Sequence, residues 1–483
     1  MTARGFTCDV FGSLTSRTRQ ARKPLVYQPQ FASFRQRLEF ARQSNDLYFA
    51  SLLDRQTIAA AFGEASGILD SARIYTTAVT LWVFLSQVLS IDHGCVSAVA
   101  RLIHYRCARG LRACSSETGM YCIARDKLDE TAMHRLVATT GQAIENQAPD
   151  RWLWLGHRVI TADGTTITMA DTADNQAEYP QQRGQAIGCG FPIMRVVVLF
   201  ALSTGTVLET AMGKYRGKLT AEVSLFREID AIIEENDVFL ADRAYSSWFD
   251  MARLMARGAD VVVRKHHLRK SDFRSGIRYG KDDHAIRLDK PGRPEWMSQE
   301  AYEDYPDFIL IREIKIRVEN RGFRTRQIIV HTSLSDDMEY SKEDIAALFR
   351  RRWQAELNLR SLKTVMQMDH LRCKKPHRVR NEMRAHMLAY NLIRQVMCEA
   401  AMTDGMRPWQ ISFKSTLSTL AEMLPTLSVI SAVDELCNVL YQSCRRHRVG
   451  DRPDRYEPRV LKRRPKQYKL MQKPRHDYKP GEA

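Results

Sequence analysis

Around Arg158 the apolar pattern changes period, and that change restricts what the chain can fold into more than any other feature. From Phe34 to about Gln147 apolar residues recur at helical spacing, as in "ASLLDRQTIAAAFGEASG" and "SAVARLIHYRCARG", with Gly at the stops. In "CSSETGMYCIARDKLDETAMHRLV" two short helical segments are expected, with Ser115 or Ser116 as N-cap. Beyond Arg158 the runs are β-branched: "HRVITADGTTITM", "FPIMRVVVLFALSTGTVLETAMG", "DVFLADRAY" and "GADVVVRKH", bounded by Gly, Asp and Pro. A helical stretch, "GKLTAEVSLFREIDAII", lies between the second and third. Strands that start as hairpin neighbours and then alternate with a helix predict a mixed α/β sheet.

That sheet is interrupted. Between Val263 and Ser341 come a polar, Pro-containing stretch, "DKPGRPEWMSQEAYEDYP", and two long strands around the turn "ENRG". A strand-to-helix connection usually takes only a few residues, so this segment reads as an inserted β-rich subdomain. Helices resume at Ser341, an N-cap with Asp344 at the third helical position, and run on through "EMRAHMLAYNLIRQVMCEAAM". The expected organisation is a flexible basic arm at 1–33 and a helical N-terminal domain at 34–150. An α/β core at 151–264 and 341–400 follows, carrying the insertion at 265–340, then C-terminal helices at 401–444 and a basic extended tail at 445–483. A small helical domain is the plain expectation for 34–150, and a helix-turn-helix-like DNA-binding domain is the sharper one.

Charge narrows the partner. Lys and Arg number 73 against 56 Asp and Glu, a net charge of +17. From Arg445 to Ala483 there are 14 Lys/Arg and 5 Asp/Glu, so the tail alone supplies +9 of that excess. A surplus of this size favours polyanions, nucleic acid first and an anionic membrane surface second. No run reaches the ~18 apolar residues of a membrane span. "TTAVTLWVFLSQVLS" (Thr76–Ser90) is broken by polar residues and reads as a buried helix. The Arg-rich start of the chain lacks the apolar centre of a secretory peptide. Cys107, Cys114 and Cys122 lie near His104 in the sequence, but at spacings that fit no usual zinc pattern. Reduced, buried thiols in a cytoplasmic protein are expected.

Three carboxylates stand out by position. Asp163 follows the apolar "RVIT" and precedes Gly164, where a strand end and a tight turn are expected. Asp242 ends the apolar "VFLA", and Glu356 is the single acid among five cations in "LFRRRWQAELNLRSLK" (Leu348–Lys363). Singly, an Asp at a strand end is an ordinary turn-former or cap. Together, three carboxylates converging at one sheet edge could hold two divalent cations about 3.5–4 Å apart. Magnesium suits oxygen ligands and bridges to phosphate. At 100° per residue, Phe349, Arg352, Glu356 and Lys363 fall on one helical arc about 60° wide, with Trp353 beside it. Salt-bridged pairs along a solvated helix would fit that arc, and so would a metal ligand flanked by phosphate-binding cations.

With these motifs in hand, the sequence resembles the IS4 family of bacterial insertion-sequence transposases, DDE recombinases on a ribonuclease-H-like core. The family signature, Tyr-x2-Arg-x3-Glu-x6-Lys, reads here Phe349, Arg352, Glu356, Lys363 with its spacing intact. "DGTTITMADTADNQAEYPQ", "LADRAY", "RPEWMS" and "PRVLKRRPKQYKLMQKPR" also look like the family. The resemblance implies a ribonuclease-H-like mixed sheet with flanking helices, and a metal triad of Asp163, Asp242 and Glu356. It implies two Mg²⁺ ions with Mn²⁺ as a substitute, DNA contacts from Arg352 and Lys363, and a homodimer on DNA that joins transposon ends to target DNA. Phe349 in place of the signature Tyr keeps the ring and loses a hydroxyl. Trp296 is the candidate ring for stacking a flipped end base, with core packing as its competitor. A catalytically impaired DNA-binding protein derived from a transposase is the alternative function.

Overall fold

The computed structural model describes residues 53, 55–63, 73–108, 110–217, 220–317, 327–423, 433–450 and 471–478. The arm at 1–33, the turn "ENRG" and most of the basic tail lie outside them.

The helices before Arg158 are α1 (Arg55–Phe62), α2 (Thr77–Leu89), α3 (Cys95–Ala108), α4 (Gly119–Asp126) and α5 (Glu130–Asn146). Ser115 and Ser116 cap nothing. Thr118 precedes α4 without a side-chain cap bond, and Asp129 caps α5 by accepting from Ala132 N–H at 2.7 Å. The expected buried α2 is observed, with Leu81, Trp82, Phe84 and Leu85 all 2% exposed or less. Among the described residues no helix is long and apolar enough to cross a membrane. Only some of the described cysteines are buried. Cys373, Cys398, Cys437 and Cys444 are buried, whereas Cys107 is exposed and Cys95, Cys114, Cys122 and Cys189 are intermediate.

Then come β1 (Val159–Met169), α6 (Ala173–Glu178), β2 (Ile193–Ala201), β3 (Val207–Lys214), α7 (Glu222–Ile229), β4 (Val238–Ala241), α8 (Trp248–Ala256) and β5 (Asp260–Arg264). The first three strands are antiparallel neighbours, while β4 and β5 run parallel to β1. Their order, β3-β2-β1-β4-β5, is the ribonuclease-H-like arrangement. Its central strands are apolar on both sides because both faces are covered. Val196, Val198 and Phe200 of β2 join one core with α2 and α5, and Val197 and Leu199 join another with α7 and α8.

The segment after β5 supplies β6 (Ile277–Gly280), β7 (Asp283–Asp289), α9 (Gln299–Glu303), β8 (Phe308–Arg317) and β9 (Gln327–Thr332). These strands continue the same sheet, because β9 pairs with β5 and the order runs on as β9-β8-β7-β6.

Helices return as α10 (Lys342–Arg351) and α11 (Trp353–Arg360), followed by a π-helical turn over Ser361–Val365 and the short β10 (His370–Leu371). Finally α12 (Pro376–Met402), α13 (Phe413–Met423) and α14 (Val433–Arg446) close the chain. Ser341 caps α10 as expected: its Oγ accepts from Asp344 N–H at 3.1 Å and donates to Asp344 Oδ2 at 2.6 Å. Since α10 leads directly into the segment bearing Glu356, this cap sets where that acid sits. Ser341→Ala is expected to cost about 1 kcal/mol in denaturant unfolding, and a loss within error would remove the cap from this role.

Candidate active site

The register of the parallel strands brings the two aspartates level. Val159, Ile160 and Thr161 of β1 lie opposite Val238, Phe239 and Leu240 of β4. Two residues further along each segment are Asp163, inside β1, and Asp242, the residue that follows β4. Alternation sends both toward the same face. Ile160, Ala162, Phe239 and Ala241 belong to the core under α7 and α8, whereas Val159, Val238 and Leu240 belong to the core that contains Leu348 and Phe349 of α10. Asp163 shares its face with Val159 and Asp242 shares its face with Leu240. That is the side on which α10 and α11 pack.

Asp163 is not at a strand end. It lies inside the eleven-residue β1, where Asp163 and Gly164 pair with Val198 and Val197 of β2. The Asp-Gly turn signal is overridden because the following Thr165, Thr166 and Ile167 continue the ladder. On the other side of β1, β4 stops at Ala241, and β10 joins only at Thr168 and Met169. Among the described residues the intervening edge has no strand partner, and Asp163 stands at that gap. Asp242 begins a short turn, accepting from Arg243 N–H at 2.8 Å.

Glu356 joins this edge from α11, which packs on β1. Arg352 Nη2 donates to Glu356 Oε1 at 2.8 Å, with side-chain exposures of 18% and 35%. Asp163 also accepts from Gly164 N–H at 2.9 Å. Burial pushes the Asp163 carboxyl up to about 6, reinforced by the charges of Glu356 and Glu222 and opposed by that N–H and by Arg352. Thus Asp163, Arg352 and Glu356 share one electrostatic neighbourhood, in which the guanidinium is the counter-cation. Among the described residues no three His, Cys, Asp or Glu side chains are grouped tightly enough to hold a metal ion. The donor set nevertheless fits a hard divalent cation. It is all carboxylate oxygen and partly desolvated, the chemistry such an ion takes.

The helical arc holds only in part. The helix is interrupted at Arg352, which ends α10 and precedes α11, and it widens into the π turn before Lys363. Such single π turns recur at functional sites. Arg352 and Glu356 keep their i,i+4 contact, and Lys363 is partly exposed on the π turn. Phe349 is a correction. It is 6% exposed and packed in the core with Ile345, Leu348 and Val238, so its ring faces protein and not DNA. Phe349 covers the core under α10, while Glu356 reaches the sheet edge from α11 on the same side.

Trp296 is half-exposed at 39%, with the Arg227 guanidinium 3.7 Å over its ring and Phe249 edge-on at 6.2 Å. Its neighbours thus belong to α7 and α8, on the face opposite α10 and α11.

Two residues that the sequence did not single out also reach this edge. Gly164 has no side chain, and an added Cβ would run into the Glu222 carboxyl, which lies against the backbone beside Asp163. Tyr245 is 2% exposed, and its hydroxyl has no hydrogen-bond partner among the described residues. Burial first, then the charges of Glu222, Asp163 and Asp242, push that hydroxyl far up. The "DRAY" stretch contained Tyr245 but gave no sign that its buried hydroxyl feels the charges of the acids. Glu222 had no local signal at all.

Comparison with known proteins follows from this geometry. Residues 154–392 match the family model of the transposase DDE domain. The transposase InsG for insertion sequence element IS4 of Escherichia coli (strain K12) is 28% identical over 356 residues, covering 71% of this chain and 76% of that one. The transposase for insertion sequence element IS421 of Escherichia coli is 28% identical over 191 residues, covering 34% and 51%. Among solved structures, the piggyBac transposase synaptic complex with hairpin DNA matches with a TM-score of 0.39 at 9% identity, over 80% of this chain and 84% of that one. A likeness of that degree carries no argument.

Proposed function

Because the chain belongs to the DDE transposases, with the transposase of insertion sequence element IS4 among its relatives, we propose that it performs cut-and-paste transposition. It cleaves DNA at the terminal inverted repeats of its element and joins the freed ends to target DNA. The acids assigned to this chemistry are Asp163, Asp242 and Glu356. The observation that supports them best is the parallel register of β1 and β4, which sets the two aspartates level on the face where α11 carries Glu356.

A DDE domain implies divalent metal, and these three carboxylates would hold it, as two Mg²⁺ ions with Mn²⁺ able to substitute. Bound there, the metal would activate a water or a 3′-hydroxyl and stabilise the leaving oxygen of an in-line displacement at phosphorus. Arg352, now the counter-cation of Glu356, would donate to a phosphate oxygen once that carboxylate is engaged elsewhere, and Lys363 would grip the backbone farther along. Phe349 supports the helix from beneath. Trp296, half-exposed with one ring face held by Arg227, is the candidate ring on which an end base could stack. The helical layer at 34–150 and the basic arm and tail add DNA contacts, two copies bring two ends together, and the protein works in the bacterial cytoplasm on the nucleoid. With Phe349 a core residue, the main reason for a catalytically impaired protein is gone.

The test is direct. The full chain is incubated with a duplex carrying one end of its element, with and without Mg²⁺. Strand cleavage exposing a 3′-hydroxyl at the repeat boundary, abolished by a chelator, is expected. Well-folded protein that binds ends but cleaves with neither Mg²⁺ nor Mn²⁺ would leave only the DNA-binding reading.

A further inference from the structure

Away from the acids, a polar cluster lies buried inside the β-rich extension. His284 of β7, Glu313 of β8 and His331 of β9 stand opposite one another in register across three strands. His284 Nε2 is 3.0 Å and His331 Nε2 is 2.7 Å from the two oxygens of Glu313, and all three side chains are 1% exposed or less. Burial pushes the Glu313 carboxyl up, but bonds from His331 and His284 outweigh it and hold the group below its ordinary value. Burying three such groups costs stability unless each is satisfied. Their remaining partners all come from the loop after β5. Ser271 Oγ donates to Glu313 at 3.1 Å, Ser275 O lies 2.6 Å from His284 Nδ1, and an Arg269 N–H approaches His331 Nδ1 at 3.5 Å. The Phe273 ring covers His284 at 4.6 Å.

The loop held this way is strongly basic. Residues 264–278 contain Arg264, Lys265, Arg269, Lys270, Arg274 and Arg278 against one acid, Asp272. It begins at the catalytic edge, because Arg264 ends β5 with Nη1 3.8 Å from Asp242 Oδ1. His266 is held below its ordinary pKa by slight burial and then by His267, Arg269 and Arg243, so the loop runs beside the residue that follows Asp242. Arg274 pairs with Asp272 at 3.0 Å, whereas Lys270 and Arg278 are exposed and have no acid partner among the described residues.

We propose that residues 264–278 form a contact surface for the DNA phosphate backbone entering the catalytic edge, and that the buried His284–Glu313–His331 row anchors this surface to the sheet. The proposal rests on the transposase reading and extends it to a strip of the molecule that no acid or signature motif marks. Backbone contacts carry no sequence information, so this strip would grip an element's end and an unrelated duplex alike.

Two measurements test it, each against the wild-type full chain binding an end-bearing duplex. In the first, Lys270→Ala with Arg278→Ala is titrated over a salt series. Each phosphate contact contributes about 0.9 to the slope of log K against log salt, so the double variant should lose roughly 1.8 from that slope, equally on an unrelated duplex. An unchanged slope overturns the contact surface, while wild-type cleavage leaves the function itself standing. The second measurement follows amide exchange at 265–276 in Glu313→Gln, with Ser271→Ala as the milder variant should the first fail to fold. Exchange there should quicken at least tenfold while β1 and β2 stay protected. Unchanged exchange in folded variants overturns the anchor.

Discussion

Glu356→Gln is expected to lower strand cleavage at the element's end by at least about 10³-fold, equivalent to ~4 kcal/mol at the transition state, while end binding stays within about twofold. The two effects separate because the substitution touches only one of the group's two capacities. The glutamine carbonyl can still accept the Arg352 N–H now made to Glu356 at 2.8 Å, so the α10–α11 junction keeps its internal contact. A partly buried i,i+4 pair of this kind contributes on the order of 1 kcal/mol. What is lost is the negative charge that a divalent ion requires from the third corner of the site. The measurement pairs a cleavage time course in Mg²⁺ with a binding titration in chelator. Cleavage within tenfold of wild type would remove Glu356 from the chemistry. Equal losses of cleavage and binding would make it a DNA-contact residue.

The parts of this site that were legible beforehand are those with a local cause. Apolar β-branched runs mark β1, β2 and β4 because burial on both faces leaves no room for alternation. Asp242 is conspicuous because it follows "VFLA" immediately. Ser341 with Asp344 announces α10 through a cap made by neighbours in the chain. Failures share another origin, namely tertiary contacts that override a local preference. Asp-Gly at 163–164 favours a turn on its own, but nine paired positions with β2 hold it extended. The helical arc groups Phe349 with Glu356, but the side of that arc over β4 and β5 is covered by the sheet, so the ring is buried. Glu222 and Tyr245 come near the acids only through tertiary placement, since α7 packs on β2 and β3 and the turn after β4 packs on α7 and β5, and nothing within either segment encodes that packing. The basic stretch "RKHHLRKSDFR" was readable as charge, but its tether runs through His284, Glu313 and His331, which come together only by strand register.

Asp163→Asn should abolish cleavage and, in metal-free buffer at pH 8, make the protein more stable than wild type. The sign follows from where the proton sits. An aspartate near 3.8 when unfolded is raised to about 6 when folded, first by burial and then by the carboxylates around it. The folded state therefore holds the proton more tightly than the unfolded chain. The stability this supplies is complete below about pH 4 and is lost as pH rises through about 6. Two pH units of difference correspond to ~3 kcal/mol, an upper value because the group is partly exposed, so roughly 1–3 kcal/mol is expected. The asparagine side chain is neutral at every pH, and Gly164 N–H can still meet its oxygen as it meets Asp163 at 2.9 Å. The variant should thus match wild type near pH 4 and exceed it at pH 8, by melting or denaturant titration. Added Mg²⁺ should then narrow the gap, because an ion that binds only the folded wild type stabilises it by mass action. The repulsion from Glu356 and Glu222, which adds to burial in raising the Asp163 carboxyl, is also what makes the edge attract cations. An Asp163→Asn protein less stable than wild type at pH 8 without metal, or a gap indifferent to Mg²⁺, would mean that Asp163 serves the fold and not the reaction.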